Sequence, residues 1–206
     1  MGLGDDHAGI LVLPEDATIG QDLVSYLDLD DVVLELDNKD VTHRADLWGL
    51  YGFARELAAI FGRELKPLEL DDGLSPDAAV YPLEIEDLEG CPQYLGLLVD
   101  GVSGKLSSPE WMRQRLRVAE MRPINLLVDL SNYVMLETGQ PTHPFDRDTL
   151  QGGILVRRAR EGESLTTLDE VRRDLTMEDL LIADRERGVA IAGIMGGAPT
   201  DRKSVV

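Results

Sequence analysis

His143 sits in the turn-rich run Gly139-Gln140-Pro141-Thr142-His143-Pro144-Phe145-Asp146. Proline fixes its own φ and restricts the residue before it, so an imidazole between two prolines is held at a defined angle. A histidine fixed in this way can orient a water or hydrogen-bond a substrate carbonyl; it can equally cap neighbouring backbone groups. Asn132 lies eleven residues earlier, on the same expected helix. Asparagine is a poor helix-interior residue, and its side chain either binds a ligand or bonds nearby backbone. Arg122 stands at a break between two helices, where a guanidinium reaches a carboxylate, a phosphate or a helix end. A second cluster, Ala190-Ile191-Ala192-Gly193-Ile194-Met195-Gly196-Gly197, is built of small residues. These admit a close approach by backbone or ligand, and glycine amides can point at a developing oxyanion; such a segment can also be a plain turn. It is neither a phosphate-binding loop of the Gly-Lys-Ser/Thr kind nor a dinucleotide fingerprint. No Gly-x-Ser-x-Gly elbow occurs, and His7 and His43 lack metal-ligand spacing, so no metal is expected.

The elements that must position these residues are α+β. Short strands are expected at 10–13 and 32–37. An amphipathic helix follows from about Asp46 to Phe61, capped by Asp46 and stopped by Gly62. Asp71-Asp72-Gly73-Leu74-Ser75-Pro76-Asp77 reads as a linker and a domain boundary. Beyond it come strands near 80–86 and 93–100. Ser107-Ser108-Pro109-Glu110 has the pattern of a helix start with a hydroxyl cap and a glutamate three residues on. That helix runs to about Glu120. A second runs from about Ile124 to Glu137, with Ile124, Leu127, Val128, Leu130, Val134 and Met135 as its buried side and Gly139 as its stop. Strands are expected at 153–158, 164–168, 171–175, 180–183 and 189–194, with two helices leaning on a β-rich unit.

Composition sets outer limits. The chain has 206 residues and a net charge of −19. Residues 1–103 hold 23 acids against 5 bases, and residues 104–206 hold 16 against 15. A polyanion could approach only the second half, whose arginines come in groups: Arg113, Arg115, Arg117 and Arg122, then Arg157, Arg158 and Arg160, then Arg172 and Arg173. The same groups also suit a mixed-charge solvated surface. One cysteine, Cys91, excludes an internal disulfide and any multi-cysteine metal site. No run is long and apolar enough to span a bilayer, no secretory signal is visible, and a cytoplasmic location is expected.

Read as strings, Arg122-Pro123-Ile124-Asn125, Val128 through Glu137 and Gln140 through Asp146 closely resemble the signature of the bacterial phenylalanyl-tRNA synthetase beta subunit. So do Val156-Arg157-Arg158-Ala159, Asp179 through Asp184, and Ala192-Gly193-Ile194-Met195-Gly196-Gly197. Upstream, Gly9 through Pro14 and Thr42 through Ala59 match in order, so that the resemblance covers about residues 1–198. It implies a small α/β connecting domain in residues 1–70, following a tRNA-binding oligonucleotide-fold insertion. Residues 75–206 would be a β-rich editing domain with two packed helices, which hydrolyses tyrosine wrongly esterified to phenylalanine tRNA. His143 and Asn132 would then be catalytic, with Arg122, Gly193, Met195, Gly196 and Gly197 binding substrate. The whole ligase would use ATP and magnesium bound outside this segment and assemble as two alpha and two beta subunits. Glu120 stands where the family usually has a small residue, and Pro144 where alanine is common. The family's glutamate that reads the tyrosine hydroxyl falls beyond Val206, so the segment is expected to be a truncated editing domain. A structural assembly module, inert alone, and a free-standing deacylase are the other readings, the connecting-domain sequence arguing against the last.

Overall fold

A computed structural model describes residues 10–70 apart from 11, 14, 16, 28, 29, 33 and 38, then 81–103 and 105–198. Four helices and seven strands are defined among these residues: α1 (Leu23–Tyr26), α2 (Leu50–Phe61), β1 (Leu83–Ile85), α3 (Glu110–Val118), α4 (Leu126–Thr138), β2 (Ile154–Arg158), β3 (Ser164–Thr166), β4 (Arg172–Asp174), β5 (Leu180–Ala183), β6 (Gly188–Ile191) and β7 (Met195–Gly196). The architecture is α+β. Five strands form one sheet in the order β1-β2-β5-β6-β7, and β3-β4 form a separate hairpin. Only β1 and β2 run parallel.

Register explains the core. Val156 lies opposite Ile182, and Ile182 opposite Ala190, so these side chains share one face. With Ile154 and Val189 they form the main apolar cluster, onto which Tyr81, Leu83, Tyr94, Phe145 and Leu150 pack. One residue along, Arg157 lies opposite Leu181 and Leu181 opposite Ile191, which puts these three on the other face. There Leu181 and Ile191 meet Ala159, Leu165 and Leu175. Arg157 is only 2% exposed. Its Nη1 and Nη2 donate to the two carboxylate oxygens of Glu163, each at 2.8 Å. Glu163 also accepts from the amides of Arg160 and Gly188. The Arg157 guanidinium, followed by the other bonds, holds its carboxyl down at about 2.

Several sequence expectations are corrected. Asp46 does not cap α2. It lies in a 3-10 turn, Ala45–Leu47, and pairs with Arg44 and Arg55, while Gly49 is the cap. Ser107 makes no capping box at α3, whose cap, Pro109, has no side-chain hydrogen bond. Residues 92–100 are irregular rather than a strand. The described parts of 10–13 and 32–37 are also irregular; Leu11 and Val33 lie outside the described residues, as does the expected linker at 71–77. The expected buried face of α4 is only partly covered. Ile124 is 67% and Leu130 39% exposed, and the one fully buried residue of α4 is Asp129.

Asp129 explains how α3 and α4 are joined. Its carboxylate accepts from Ser108 Oγ at 2.5 Å, just ahead of α3, and from the Ile124 amide at 2.7 Å, just ahead of α4. Asn125 caps α4 by accepting from the Leu127 and Val128 amides. Gly139 ends α4 in the left-handed region, where the Gly49 backbone presses so close that a Cβ on Gly49 would fall 2.3 Å from the Gly139 nitrogen. The helix thus delivers the chain into the His143 loop at a fixed point.

Candidate functional site

The loop leaving α4 folds back over the main-cluster face of the sheet. Ser131, on α4, donates from its Oγ to the Thr142 carbonyl at 2.6 Å, and the Thr142 hydroxyl donates back to Ser131 Oγ at 2.8 Å. This two-way clamp fixes the residue immediately before His143. The imidazole then packs edge-on to Phe145, with ring centres 4.5 Å apart. On its other side it rests on the backbone of Gly196. A Cβ added to Gly196 would lie 2.7 Å from His143 Cε1 and 3.0 Å from Nε2, so only glycine admits the ring at this distance. Asp146 ends the loop by capping the 3-10 turn Arg147–Thr149.

Between this loop, α4 and the sheet lies an open cavity of about 1380 Å³. Its apolar floor includes Ile154, Ile182 and Ala190; Leu127, Leu130 and Ser131 line it from α4, and the 93–102 segment closes another side. Arg147, in the 3-10 turn after the His143 loop, pairs with Asp100 of that segment at 2.5 Å. Burial raises the Tyr94 phenol above its ordinary range. A polar histidine over an apolar floor, with aromatic walls, suits an uncharged organic group better than a bare ion. Among the described residues no three His, Cys, Asp or Glu side chains are placed to hold a metal.

The structure brings His143, Gly193, Met195 and Gly196 to this cavity. Gly193 turns the chain between β6 and β7 at φ +69. Gly197 is buried behind the wall, its amide donating to the Val189 carbonyl and thus committed to the fold. Asn132 is half-buried on α4 and Arg122 exposed in the α3–α4 connection; neither lines the cavity. Sequence reasoning passed over Ser131, Thr142, Phe145 and Leu168. The first two flank Asn132 and His143 directly, and paired hydroxyls beside two candidate polar residues were the available signal. Leu168 carried none: its amide donates to the Gly196 carbonyl from the tip of the β3–β4 hairpin, a contact that exists only after folding.

The arginine groups divide in the same way. Arg157 is interior and belongs to the fold, which removes it from the surface expected to meet a polyanion. Arg158 is tied to Asp87 and the Glu178 carbonyl, and Arg173 to Asp169. Arg113 and Arg117 share one carboxylate, Glu110.

The B3/4 domain family model matches residues 90–204, which include the His143 loop and the glycine-rich β6–β7 turn. The phenylalanine–tRNA ligase beta subunit of Dickeya dadantii is 42% identical over 198 residues, covering 96% of this chain and 24% of that protein. The beta subunit of Chromobacterium violaceum is 43% identical over 197 residues, with 96% and 25% covered. That of Carboxydothermus hydrogenoformans is 46% identical over 194 residues, with 94% and 24% covered. The chain spans about a quarter of the length of these curated relatives.

Proposed function

The chain belongs to the B3/4 domain family, and from that premise we propose that it is the editing segment of a phenylalanine–tRNA ligase beta subunit, hydrolysing tyrosine from mischarged phenylalanine tRNA. The observation that carries this reading is the His143 imidazole, clamped by Ser131–Thr142 and seated on Gly196 at the edge of a cavity large enough for an aminoacyl ester. The similarity to phenylalanine–tRNA ligase beta subunits over nearly the whole chain supports a tRNA-borne substrate.

The chemistry has a physical necessity. A pocket built for phenylalanine cannot strongly reject an analogue that merely adds a hydroxyl, with discrimination on the order of a hundredfold. A second pocket that hydrogen-bonds the hydroxyl can discriminate far better, since the cognate amino acid leaves its polar groups unpaired. In the editing step water attacks the ester carbonyl, an oxyanion develops, and the ribose oxygen leaves with a proton. His143 orients the water or the carbonyl and can accept its proton. Gly193, Met195 and Gly196 form the wall beside the carbonyl. Asn132 and Arg122 act from the flank, Arg122 meeting the RNA end.

In the same reading residues 1–70 form the connecting domain and residues from 75 onward the editing domain. The whole ligase joins phenylalanine to its tRNA with ATP and magnesium held elsewhere, pairs with an alpha subunit in a heterotetramer of two alpha and two beta chains, and works in the cytoplasm. The test is release of tyrosine from tyrosyl-tRNA(Phe) by the chain and by its His143→Ala variant. Hydrolysis by the first and not the second is expected. A folded but inactive parent chain would replace this reading with that of an inert assembly module, and equal activity in the variant would remove His143 from the mechanism.

A further inference from the structure

Outside the cavity, the described surface carries a place where an exposed aromatic, a cation and the cavity rim adjoin. On α3, Trp111 and Arg115 are four residues apart and both exposed, so they lie on one helical face. The Trp111 ring meets Tyr133 of α4 at 5.3 Å and 88°, an edge contact that leaves indole surface open; Trp111 is 53% exposed. Tyr133 is three residues from Leu130, hence its neighbour on α4, and Leu130 lines the cavity. The ridge Trp111–Tyr133–Leu130 therefore runs from solvent to the cavity mouth.

Its charge stands out in this chain. Arg113 and Arg117 share the single carboxylate of Glu110. Arg115 makes no ion pair among the described residues, and its field falls on the Tyr133 phenol, which also faces Glu137. α3 thus holds three arginines against one acid, in a protein of net charge −19. An exposed indole beside an uncompensated guanidinium fits a nucleic-acid base with its phosphate. A neutral apolar partner would leave Arg115 desolvated and unpaired.

We propose that the Trp111–Arg115 face is a stacking platform for single-stranded RNA, on which a base stacks while the strand's 3′ end enters the cavity. This rests on the reading of the cavity as the site for an RNA-borne ester. Tyr133 braces the indole, and Arg115 pairs with a backbone phosphate.

A Trp48→Phe variant leaves Trp111 as the sole tryptophan, since the chain has two. Titration with a short unstructured RNA ending in CCA is expected to quench its fluorescence. Loss of the stack in Trp111→Ala weakens binding about tenfold or more, whereas Trp111→Phe keeps most of it. Arg115→Ala reduces the slope of log affinity against log salt by about one. A duplex RNA of the same strand is expected to leave Trp111 unquenched. Unchanged affinity in Trp111→Ala, an unquenched indole in the bound state, or equal quenching by the duplex each overturns the platform. Ester hydrolysis on the same chain reports separately: hydrolysis without quenching ends this inference and leaves the cavity's function standing, while quenching without hydrolysis does the reverse.

Discussion

His143 and Gly196 behave as one unit. A methyl group on Gly196 must displace the imidazole, because the ring already lies within 3 Å of where that methyl would be. Gly196→Ala is therefore expected to abolish tyrosyl-tRNA(Phe) hydrolysis while the chain keeps its circular dichroism spectrum; full activity would show that the ring's seat does not matter. Glu120 is a different case. It lies just past the end of α3 at φ +58, where the Met121 amide donates back to the Leu116 carbonyl. A residue with a Cβ in this left-handed conformation costs about 1 kcal/mol, a cost that glycine avoids. Glu120→Gly is expected to raise stability by roughly that amount in urea unfolding. Nothing in the local sequence marks this cost, and only the backbone angle reveals it.

At the level of elements, one buried and one partly buried carboxylate hold pieces of structure together. Asp129 is 1% exposed and ties the starts of α3 and α4. Asp129→Ala leaves a buried hydroxyl and an amide unsatisfied, and a loss of about 2–4 kcal/mol is expected by denaturant unfolding. Glu163 holds Arg157 between the sheet and the β3–β4 hairpin. Its carboxyl is lowered in the folded state, so its contribution is complete above the ordinary glutamate value and disappears as pH falls toward about 2. The thermal midpoint is expected to drop between about pH 4.5 and 2, and Glu163→Gln to flatten that dependence while costing about 3–5 kcal/mol at neutral pH. An unchanged acid limb in the variant would assign acid sensitivity elsewhere. The positions of α2, α3 and α4 and the strands from β2 to β6 were legible in the sequence, because local apolar periodicity marks them, whereas the four-residue α1 was not. The expected N-terminal caps at Asp46 and Ser107 do not form, because Asp46 pairs with Arg44 and Arg55 and Ser108 donates to Asp129.

For the whole molecule, charge and topology act together. Under the proposed function, the acidic first half disfavours a polyanion and the outward arginines of the second half are where a strand would lie. Binding of RNA by the chain is expected to weaken steeply with added salt; a flat dependence would mean that phosphates are not contacted. Sequence alone determined the α+β class, the family and the helix stops at Gly62 and Gly139, and it singled out the His143 loop and the glycine-rich turn as candidates. Each follows from local backbone preference or from an ordered string of residues. The tertiary structure decided that His143 meets Gly196, that Ser131 clamps Thr142, that Arg157 is interior, and that Asn132 and Arg122 stand off the cavity wall. Those outcomes depend on sheet register and helix packing, which join residues from eleven to more than fifty positions apart and leave no periodic trace along the chain.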